Sequence, residues 1–132
     1  MNTNQIRIAA AGLFFLLIFV FGYWLSRAGK PYNTAIFTVH KLAALGAVVY
    51  LAYTIFKVNQ TAPLDLLQIA LAVFTGLCAL GLFASGAVSS IRLEAAPRFV
   101  LTLHQVLPYL TVISTGALLY LLLLRGGSLA LQ

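Results

Sequence analysis

Two side chains in this 132-residue sequence are suited to chemistry inside an apolar medium, His40 and His104. Each lies within a long run of apolar residues. An ionisable group at membrane depth is costly, so it faces other helices and marks a functional site by default. A neutral imidazole carries a proton on one ring nitrogen and offers the other as a lone-pair donor to a metal. Zinc normally takes at least three protein ligands, and no Cys, Asp, Glu or third His shares the pattern. A haem iron instead takes two ligands in trans, with the flat macrocycle slotted between helices. The spacing suits that geometry. His40 lies six residues after Thr34, and His104 six residues after Arg98. At 1.5 Å per residue both imidazoles stand roughly 9 Å from the start of their helices. If those helices run in the same direction, the two rings share one depth and can point at each other.

The elements that must hold them follow from composition. Apolar residues make up 62% of the chain and charged residues 8%, with a mean hydropathy of +1.02. Soluble domains carry about 45–50% and about 25%, so a globular soluble enzyme and a disordered chain are both excluded. At roughly 20 residues per crossing, the length allows four or five spanning helices. The net charge of +6 comes from eight Lys and Arg against Asp65 and Glu94. The cations sit singly at the ends of apolar runs and read as anchors in a lipid bilayer, with no stripe to bind nucleic acid. Cys78 is a single cysteine, which excludes an intramolecular disulfide and a paired-thiol redox centre.

The expected fold is all-α, one integral membrane domain over residues 1–132. It is an up-down four-helix bundle with helices at about 8–25, 34–56, 64–88 and 98–124. Backbone polar groups must be satisfied within the bilayer, and for runs of this length only helices do so. The first run, flanked by Arg7 and Arg27, is longer than the apolar region of a signal peptide. Gly29 and Pro31 mark the first turn, with Asn33 or Thr34 as helix cap. A polar loop from Val58 to Pro63 contains Asn59-Gln60-Thr61, which has the form of a glycosylation sequon. Ala72 and Gly76 form a small-xxx-small pair of the kind that lets helices approach in lipid. The segments HKLAALGAVVYLAYTIF from His40 and HQVLPYLTVISTGALLYLLL from His104 are alike enough to suggest a duplicated two-helix unit.

Around His40, Ala43, Ala44 and Ala47 offer small side chains and Phe37 an aromatic wall. Pro108, four residues after His104, removes the hydrogen bond to the His104 carbonyl and predicts a kink there. Thr111 and Thr115 lie farther along. Arg98 and Lys41, and then Arg27, Lys30 and Tyr32, are placed to meet haem propionates at the wet edge, where carboxylates pair best with cations. Each residue also has a plainer reading. A lone membrane histidine commonly makes an interhelical hydrogen bond, Lys41 snorkels to the interface, and Tyr23, Trp24 and Tyr32 form an interfacial belt.

On His40 and His104, with their flanks and the four-helix length, the chain resembles the small bis-histidine membrane cytochromes b, cytochrome b561-like in the broad sense. The resemblance implies haem b as cofactor. It also implies His40 and His104 as iron ligands and electron exchange with a quinone or a redox partner protein. Those families commonly carry four ligating histidines and two haems, whereas this chain has ligands for one. An electron would then be held near one face, and crossing the membrane would need a homo-oligomer or a partner. No acid-base dyad, activated nucleophile or phosphate loop accompanies the histidines, so no catalytic residue is assigned beyond redox chemistry. A non-catalytic subunit of a larger complex and a small transporter are the alternatives. Cations at Arg27, Lys30, Arg92 and Arg98, with Lys41, outnumber Arg7, Lys57 and Arg125. The positive-inside rule then turns the histidine end toward the cytoplasm of a prokaryotic inner (plasma) membrane.

Overall fold

The computed structural model describes residues 2–29, 33–91 and 97–128. It is all-α, with α1 (Thr3–Arg27), α2 (Thr34–Thr61), α3 (Leu66–Ile91) and α4 (Arg98–Ser128), and no strand among the described residues. All four helices are long and apolar enough to cross a membrane. Large apolar side chains face outward along each of them, including Leu16, Leu42, Leu77 and Ile113, each at least half exposed. Such a surface is at home in hydrocarbon and not in water.

Several helix ends differ from the ends of the apolar stretches because caps and a proline, and not hydropathy, set them. α1 begins at Thr3 and not near Ile8. The Asn2 side chain accepts from the Gln5 amide at 2.9 Å, and the Gln5 side chain accepts from the Asn2 amide at 2.8 Å. That reciprocal pair satisfies two orphan donors of the first turn. α1 ends where Gly29 takes a left-handed φ of 79°, a conformation glycine adopts without steric cost. α2 starts as expected, with Asn33 Oδ1 accepting from Ala35 and Ile36. It ends later than expected. The polar segment read as a loop from Val58 continues the helix to Thr61, so Asn59-Gln60-Thr61 lies in the last helical turn. The stop is set by Pro63, which disfavours helical geometry in the residue before it, and Ala62 is extended (φ −146°, ψ 107°). At the start of α3, Asp65 and Gln68 repeat the reciprocal capping seen in α1, at 2.9 and 3.1 Å. α4 runs unbroken through Pro108.

The chain divides into two compact units, residues 1–64 with 119–132, and residues 65–118. In the first, α1 and α2 form an antiparallel hairpin. Asn4 at the start of α1 donates to Thr61 at the end of α2 (2.9 Å), and His40 near the start of α2 lies against Gly22 near the end of α1. The C-terminal part of α4 joins this unit, with Leu119 Cδ1 3.4 Å from the position a Cβ would take at Gly12. In the second unit α3 and α4 are also antiparallel, Ser85 lying beside His104 and Thr75 donating to Ser114 at 2.8 Å.

Candidate functional site

Each histidine sits in its own hairpin, packed on a glycine of the helix before it. A Cβ built on Gly22 would stand 2.9 Å from His40 Cε1 and 3.2 Å from its Nε2. A Cβ built on Gly86 would stand 3.2 Å from His104 Cε1. Any larger residue would push the ring away, so in both places glycine lets the imidazole lie against the facing backbone. Both histidines are half-buried. The Phe21 ring lies 5.7 Å from the His40 ring, tilted by 47°. At His104 the corresponding neighbour is polar. Ser85, which is 4% exposed, places Oγ 2.9 Å from His104 Nδ1 and donates to the Gly81 carbonyl at 2.7 Å.

These two arrangements are one pattern displaced by sixty-four residues. Gly22 and His40 are eighteen residues apart, as are Gly86 and His104. The segments GLFFLLIFVFGYWLS from Gly12 and GLCALGLFASGAVSS from Gly76 share G-L-x-x-L-x-x-F-x-x-G-x-x-x-S, followed by Thr38-x-His40 and Thr102-x-His104. Burial follows the same displacement. Ala47, Leu51, Thr54 and Val58 are buried on α2, and Thr111, Thr115, Leu118 and Leu122 on α4. Reading the sequence by its histidine helices alone missed Gly22 and Gly86 as histidine partners, which this displacement finds, while Ser85 falls at one of its divergent positions. It also exposes a divergence. Phe14, Phe21, Tyr50 and Leu51 in the first hairpin are replaced by Cys78, Ser85, Ser114 and Thr115 in the second.

Lys41 is exposed, and its Nζ lies 4.3 Å from the centre of the half-buried Phe37 ring, one turn back toward the start of α2. Ala43 and Ala44 are half-buried and Ala47 is buried. Arg98 is exposed in the first turn of α4, where its carbonyl accepts from Thr102 at 3.0 Å. Pro108 is half-buried, and the Thr111 hydroxyl one turn beyond it donates to the Leu107 carbonyl at 2.8 Å. Thr111 and Thr115 are both buried. Arg27 donates to the Tyr23 hydroxyl at 2.8 Å. Lys30, Tyr32, Arg92 and Glu94 lie outside the described residues. His40 belongs to the first unit and His104 to the second. Among the described residues no group of three or more His, Cys, Asp or Glu gathers into a metal site. Searches against protein-family models, curated proteins and solved structures find no match to the chain.

Proposed function

We propose that the chain is a membrane b-type cytochrome of a prokaryotic inner membrane, in which His40 and His104 would hold one haem b. It would exchange electrons with a quinone or a protein partner. The observation that carries this reading is the repeated glycine and histidine pairing, with the same register in both hairpins. The repeat places an imidazole at the matching position of each hairpin. Two copies supply the number of imidazoles that one haem iron takes.

The residues fit such a group. Close approach to Gly22 and Gly86 seats each ring against a helix backbone. The Ser85 hydroxyl at Nδ1 of His104 is the kind of outer partner that orients a ligating imidazole. Lys41 and Arg98, both exposed near the starts of their helices, would pair with the propionates. When bound, haem would supply one-electron chemistry, and an iron held by both histidines would favour electron transfer over oxygen binding.

The test is the absorption spectrum of the detergent-purified protein, oxidised and then dithionite-reduced, beside His40→Ala and His104→Ala. The expected result is a low-spin spectrum that is lost or becomes high-spin in both variants. A protein that stays colourless after reconstitution with haem sinks the reading and leaves a non-catalytic membrane subunit as the better account.

A further inference from the structure

The buried Ser85 hydroxyl lies against the His104 ring, and its hydrogen bonds constrain where the proton on that ring lies. The hydroxyl has a single proton to give. Its closest neighbours are the Gly81 carbonyl at 2.7 Å and His104 Nδ1 at 2.9 Å, with the Leu82 carbonyl at 3.2 Å. A carbonyl oxygen can only accept. If the proton pointed at His104, two oxygens bearing lone pairs would face each other at 2.7 Å with nothing between them. With the proton on the Gly81 carbonyl, Ser85 Oγ accepts, and His104 Nδ1 must be the donor. One arrangement satisfies every group: Nδ1–H donates to Oγ, and Oγ–H donates to the carbonyl.

We infer that Ser85 is a positioning residue that holds His104 as the Nδ1–H tautomer and so presents its Nε2 lone pair as the metal-binding atom. The ligand role of Nε2 rests on the cytochrome reading above; the position of the proton does not. The alternative tautomer would place a hydrogen on Nε2 and block it as a ligand. A hydrogen bond from Nδ1–H also makes the imidazole a stronger electron donor, which favours the more oxidised state of an iron bound to it. Phe21 occupies the matching position beside His40 and has no hydroxyl to offer, so this device belongs to the second hairpin.

The experiment is nitrogen NMR of the protein labelled with ¹⁵N-histidine in detergent micelles, without haem, for wild type, Ser85→Ala and Ser85→Thr. His104→Ala identifies the signals. Wild type and Ser85→Thr are expected to show protonated Nδ1 and bare Nε2 for His104, and Ser85→Ala to lose that preference. In haem-loaded protein the reduction potential is expected to rise in Ser85→Ala and to return in Ser85→Thr. A wild-type His104 protonated at Nε2, or a tautomer unchanged in Ser85→Ala, overturns the inference. A colourless protein overturns the cytochrome reading alone, because the nitrogen shifts are read without haem.

Discussion

A methyl group at Gly22 would collide with the His40 ring at 2.9 Å, whereas at Gly86 the contact with His104 is 3.2 Å and needs a smaller shift. Overpacking of this kind typically costs about 1–3 kcal/mol. Gly22→Ala is therefore expected to lower thermal stability in detergent, and Gly86→Ala to do so more weakly. Gly76 and Gly116 meet nothing within 4 Å of an added Cβ, so alanine there should leave stability unchanged or raise it by up to about 1 kcal/mol through helix propensity. Equal melting temperatures for Gly22→Ala and Gly116→Ala would show that the glycine contact does not hold the ring. The histidines themselves were legible from residue type and register. Their partners were not, because which side of α1 or α3 faces a histidine depends on helix rotation, which packing sets. The recurrence of G-L-x-x-L-x-x-F-x-x-G held that information, but only a comparison of the first helix with the third reveals it.

At the scale of the helices, the apolar runs located all four crossings, and several of their ends were misjudged because polar caps and a proline set them. In α1 and α3 the start is set by reciprocal side-chain caps in the polar flanks, Asn2 with Gln5 and Asp65 with Gln68, which lie outside any hydropathy signal. In α2 the end waits for Pro63. The α3 and α4 pairing carries a further device that composition conceals, the Thr75 to Ser114 hydrogen bond between two buried hydroxyls. Interhelical hydrogen bonds in lipid average about 0.6 kcal/mol, well below what a buried polar contact suggests by intuition. A double-mutant cycle with Thr75→Val and Ser114→Ala, followed by unfolding in mixed micelles, should give a coupling of about that size. A coupling indistinguishable from zero would mean that the pair contributes no specificity to the hairpin.

Across the whole molecule, the charge pattern makes a claim about orientation that the helices alone do not. In the sequence, Arg27, Lys30 and Lys41 lie around the start of α2 and Arg92 and Arg98 around the start of α4, whereas Arg7 lies near the start of α1 and Lys57 and Arg125 near the ends of α2 and α4. With Cys78 replaced by serine, single cysteines at Ser26 and Gln60 report the two ends. A membrane-impermeant maleimide added to intact cells is expected to label position 60 and spare position 26; the reverse pattern would turn the histidine end outward. Both reporter positions are exposed. The contacts also differ in how much chain separates them. His40 reaches Gly22 across eighteen residues and His104 reaches Gly86 across the same interval, whereas Gly12 meets Leu119, near the far end of the sequence. Closing a short loop costs less entropy than closing a long one. During synthesis, each histidine can therefore settle on its glycine as soon as its own helix is made. The last turns of α4 return to α1 only when translation is nearly complete, so the histidine seats are the earliest features of the protein and the closure of its first unit the latest.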